Sequence, residues 1–168
     1  MTAFVPSSPW IIESRFARRI PLESALRFID ALAALPISSW MDIGRSLVAD
    51  DEGLANRVAA WVALDAIIAD RGLRVGAWYV RDALETAVFL ARRGDPLRSA
   101  ADRQAFDAAR NAAEDVALAW LAFPRLAVPD FETLCRPFAQ HVRIGPLGGK
   151  PPAGQYERLR RASSRRTG

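Results

Sequence analysis

The chain has 168 residues and 18.5 kDa, is 51% hydrophobic and 25% charged, and has mean hydropathy near zero. That is enough apolar material for one ordinary core, and it excludes a disordered or collagen-like polymer. The formal charge of +4 is unevenly spread: residues 150–168 hold Lys150, Arg158, Arg160, Arg161, Arg165 and Arg166 against Glu157, whereas residues 1–149 hold 17 bases against 18 acids. A nearly neutral body excludes a fold-wide nucleic-acid surface and leaves phosphate contacts to the arginine-rich end alone.

At the amino terminus, Pro6, Ser7, Ser8 and Pro9 interrupt any apolar stretch of signal-peptide length, so no secretion signal is expected. Trp10, Ile11 and Ile12 within Phe4–Phe16 are expected to lie across the helices that follow, with a brief pairing to Val142–Ile144. The first helix is expected over Leu22–Leu35, opened by Pro21 and stopped by Pro36, with Leu22, Leu26, Ile29, Leu32 and Ala33 on its apolar side. A short helical turn covers Trp40–Val48. The second main helix, Glu52–Arg71, has Asp50 and Asp51 as N-cap candidates and Gly72 as a left-handed terminator. Its apolar face reads Leu54, Val58, Trp61, Val62 and Ile68.

The third helix spans Arg74–Arg93 before Gly94, and the fourth runs from Ser99 to Phe123, with Asp102 in a capping-box-like place and Pro124 beyond. Brief connectors imply antiparallel neighbours, so the expected fold class is all-α, a four-helix up-down bundle occupying residues 1–144. Asp130 opens a short helix through Cys135 that Pro137 must end. Four glycines and three prolines within Gly145–Gly154 read as a linker into a disordered basic tail over residues 145–168. The longest apolar runs, Val58–Leu64 and Val116–Phe123, are far too short to span a bilayer. With Cys135 as the only cysteine, an internal disulfide is excluded and a cytoplasmic setting is the expectation.

Candidate functional residues follow from helical spacing. Asp65 falls among Leu54, Val58, Trp61 and Ile68, and folding the second and third helices together sets it level with Arg81, so a buried Asp65–Arg81 ion pair is expected. On the third helix Trp78, Asp82, Glu85 and Phe89 recur at i, i+4, i+7 and i+11, which places two acids between two aromatics on one stripe. With Trp10 and Trp40 as further aromatic anchors, that stripe points to a non-catalytic interaction or assembly module, with a homodimer or a protein partner as its occupant and no cofactor. A second reading makes Asp65, Asp82 and Glu85 a divalent-cation site activating water toward a phosphorylated substrate. A third assigns nucleic-acid or anionic-surface binding to Arg158, Arg160, Arg161, Arg165 and Arg166.

Other chemistry is poorly served. Cys135 and His141, six residues apart across Pro137, have no enforced geometry for a thiol dyad. The fourth helix alternates Arg103, Asp107, Arg110 and Glu114 as a solvated salt-bridge face, while its Ala105, Ala109, Ala112 and Ala113 side is built for close helix approach. Leu118 and Leu121 fall on its polar side and require a cover from the Asp130 segment or a second subunit.

Overall fold

The computed structural model describes residues 14–123 and 125–142, with side chains described from Pro21 onward. Trp10, most of Phe4–Phe16, the Gly145–Gly154 stretch and the tail arginines lie outside the described residues. Among the described residues there are six α-helices and no strand: α1 Ser14–Ala33, α2 Ile37–Ala49, α3 Asp51–Ile68, α4 Arg74–Arg92, α5 Ala100–Ala122 and α6 Val128–Cys135. Short 3-10 turns at Arg71–Leu73 and Arg136–Phe138 complete the set.

The helix punctuation works largely as expected. Asp50 caps α3 by accepting from the Gly53 N–H at 2.9 Å, and Ser99 caps α5 by accepting from the Asp102 N–H at 3.0 Å, each satisfying a donor that has no intrahelical partner. Gly94 takes the left-handed conformation, at φ 81°, beyond the end of α4. Gly72 does not. There the Asp70 carboxylate accepts from the Gly72 N–H and folds the chain into a 3-10 turn, while Arg125 donates to the same carboxylate at 2.7 Å. Two boundaries also differ from the expectation. α1 begins before Pro21 and carries it as an interior residue, and the turn expected over Trp40–Val48 is a 13-residue helix. Trp40, Met41, Ile43, Gly44 and Leu47 give α2 an inward stripe at i, i+1, i+3, i+4 and i+7.

Packing centres on α5. It meets α1, α2, α4, α3 and α6, and every residue from Val116 to Phe123 is buried. A stretch of helix apolar on all sides belongs in the middle of a fold, and the last two turns of α5, from Val116 to Ala122, lie there. Leu118 and Leu121 therefore find their cover within the chain, Leu121 lying against Gly76 of α4. α3 packs on α6 and α5, whereas α4 packs on α1 and α5, so the two do not form the expected hairpin pair.

The tightest crossing joins α2 to α5. A Cβ built on Gly44 would fall 1.8 Å from the Ala105 carbonyl oxygen, so only glycine admits this approach of two backbones. Beside the crossing, Trp40 stacks on Phe106 with ring centroids 5.4 Å apart and donates its Nε1–H to the Leu32 carbonyl at 3.2 Å. A second aromatic group closes the far end of α5: the Trp120 and Phe131 rings meet edge to face at 4.9 Å, and Phe123 sits against both.

Candidate functional site

α4 turns Ala77, Val80, Leu84, Ala87 and Val88 inward. Its opposite face carries Val75, Trp78, Tyr79, Phe89 and Leu90, all exposed, with Trp78 at 61% and Phe89 at 69% of full accessibility. The Trp78 and Tyr79 rings support each other edge to face at 5.2 Å, which stiffens this apolar surface. Asp82 and Glu85 are exposed on the same helix, as the spacing requires. Glu85 is paired with Arg110 of α5, and Arg81 reaches Glu114 of α5 at 3.8 Å. These bridges fasten the flank of α4 to α5 and leave the aromatic residues at the surface. Arg110 and Glu114 of the expected salt-bridge face of α5 are thus spent on its neighbour, while Arg103 donates to the Leu97 and Arg98 carbonyls.

A second apolar surface lies on α3, where Leu54, Val58, Trp61 and Val62 are all about half exposed. They form the face expected to point inward. The residues that do point inward are Ala60 and Leu64, with Gly53, Arg57 and Ile67 half-buried on the same side. That row packs on α5 and α6, and the row of Leu54, Val58, Trp61 and Val62 one helical step away is left outside. Asp65 belongs to that outer row and is exposed.

Between this row and α5 runs a groove of about 350 Å³, walled by Val48, Leu54, Val58, Trp61, Ala112 and Leu134. Its polar members are Arg57, Asn111 and Asp115. Arg57 is engaged elsewhere, donating to the Asp50 carboxylate at 3.0 Å and to the Leu47 carbonyl at 3.5 Å. Asp115 makes no hydrogen bond or ion pair among the described residues. Burial, reinforced by the neighbouring Glu114 charge, pushes its carboxyl up to about 7.

Several expected site residues are corrected by this geometry. The buried Asp65–Arg81 pair does not form: both residues are exposed, α3 and α4 diverge, and Arg81 turns to Glu114 instead. Trp40 is no surface anchor, being fully buried between α1 and α5, and Trp61, expected in the core, is at the surface. Asp65, Asp82 and Glu85 are not assembled into a ligand set; among the described residues no three His, Cys, Asp or Glu side chains converge as a metal site would require. Cys135 is buried, and the loss of water together with Glu132 drives its thiol far above the usual range, away from nucleophilic reactivity. No described helix is long and apolar enough to cross a membrane.

Asp115 is the residue that sequence spacing overlooked. It sits seven residues after Ala108 and three after Ala112, on the edge of the alanine face of α5, so the signal was present as an acid on a close-packing row. Comparison with family models, with curated proteins and with solved structures gives no match to this chain.

Proposed function

We propose that this chain is a non-catalytic helical interaction module, and that two copies associate through the outer face of α4. The observation that carries the reading is the joint exposure of Trp78 and Phe89, with Tyr79 and Val75 beside them, on a helix whose inner face is already fully used. Large aromatics lose most from contact with water and are the residues most enriched at interface centres. Asp82 lies between them as a polar group able to fix the partner's register. An all-α scaffold braced by the Glu85–Arg110 and Arg81–Glu114 bridges presents this face without rearrangement.

Sedimentation velocity over a wide concentration range tests the reading. The expected result is a reversible dimer, converted to monomer by Trp78→Glu or Phe89→Glu at unchanged helicity, because both residues are exposed in the single chain. A wild-type chain that stays monomeric at the highest concentrations would sink it.

A further inference from the structure

The α3–α5 groove is a different place from the α4 face, and its chemistry is different. It has apolar walls from α2, α3, α5 and α6, and one carboxylate, Asp115, which no cation in the described chain neutralises. The single base in the lining, Arg57, is held by Asp50 and by the Leu47 carbonyl. An uncompensated carboxylate in an apolar recess is complementary to a positive charge carried on an apolar stem. The volume of about 350 Å³ is at the small end of ligand clefts, which suits a small molecule.

We infer that the groove between α3 and α5 binds a small amphiphilic cation, a primary ammonium on an alkyl or aryl stem. Its charge meets the Asp115 carboxylate and its stem lies along Leu54, Val58 and Trp61. The indole of Trp61 adds a π surface at the wall. Charged groups around Asp115 are few: Glu114 adjoins it on α5, Arg57 is the contribution of α3, and the α2 and α6 residues in the lining, Leu47, Val48 and Leu134, are uncharged. Proton and ammonium therefore compete for one carboxylate. With the carboxyl pushed up to about 7, it is mostly protonated at pH 5.5 and mostly charged at pH 8.

The test is calorimetric titration of the full chain with hexylammonium, with 1-hexanol as the neutral control of similar shape. Hexylammonium, which keeps its charge throughout, should bind at pH 8 at least tenfold more tightly than hexanol, and at pH 5.5 should lose most of that advantage and approach the hexanol level. Asp115→Asn keeps the shape of the side chain and should reduce hexylammonium to the level of hexanol at both pH values. Val58→Lys, on the exposed wall, should place a tethered ammonium in the groove and weaken the free one at least tenfold while the fold is retained. Equal binding of hexanol and hexylammonium, unchanged binding by Asp115→Asn, indifference to Val58→Lys, or no saturable binding of hexylammonium would each overturn the inference. None of these outcomes bears on dimerisation through α4.

Discussion

α5 and α3 are both rich in alanine and both carry leucine, valine and tryptophan, yet one hides its large apolar residues and the other displays them. In α5 the residues Val116, Leu118, Trp120 and Leu121 crowd into the last two turns and are buried on every side, with Gly76 of α4 against Leu121 and Phe131 of α6 against Trp120. In α3 Leu54, Val58, Trp61 and Val62 stay at the surface while Ala60 and Leu64 go in. Where neighbouring rows of a helix are both apolar, as in α3, the packing of the rest of the chain decides which of them is buried. Summed hydrophobicity alone does not choose the row that faces the core.

The largest loss is expected from spoiling the close approach of α2 to α5. At Gly44 an added Cβ would overlap the Ala105 carbonyl, a backbone atom that cannot rotate aside. Gly44→Ala gains about 1 kcal/mol of helix propensity, but the forced separation of α2 from α5 would open the Trp40–Phe106 stack. The expected net loss is on the order of 5 kcal/mol, read as a collapse of the urea midpoint. A midpoint within experimental error of wild type would mean that α2 and α5 cross at a greater distance.

A sharper test sets two leucines of α3 against each other. Leu64 is buried and Leu54 is 52% exposed. Leu64→Ala should cost about 2–4 kcal/mol through lost burial and a residual cavity, whereas Leu54→Ala should stay within about 0.5 kcal/mol. Reversal of that order by chemical denaturation would return the bulky row to the core.

Much of the helical layout was legible in the sequence because its signals are local. Asp50, Ser99, Pro36 and Gly94 act on backbone groups within one turn, so they mark helix ends whatever the tertiary fold. α2 was underestimated because its thirteen residues draw their inward stripe partly from Gly44, which a hydrophobic pattern does not count. Which row of α3 is inner was not legible: successive rows of that helix are both apolar, and the choice is made by α5 and α6, far away in sequence. The outward positions of Trp61 and Asp65 both follow from that choice. The α4 stripe of Trp78, Asp82, Glu85 and Phe89 was legible because Ala77, Val80, Leu84 and Val88 form an unambiguous inner face opposite it.

The smallest expected effect belongs to Asp65, and it discriminates cleanly between the two possible orientations of α3. Were Asp65 inward and paired with Arg81, removing its carboxylate would strand a buried guanidinium at a cost of about 3–5 kcal/mol. In the observed orientation Asp65 is exposed, and Arg81, itself exposed, has Glu114 at 3.8 Å in its place. Asp65→Ala therefore loses no buried charge pair, and alanine is the stronger helix former, so a slight gain offsets any loss of solvation. The expected change is within about 0.5 kcal/mol, and a double-mutant cycle of Asp65→Ala with Arg81→Ala should show a coupling no larger than that. A loss of several kcal/mol, or a strong coupling to Arg81, would place α3 and α4 side by side with the Trp61 row between them, and the apolar groove that holds Asp115 would close.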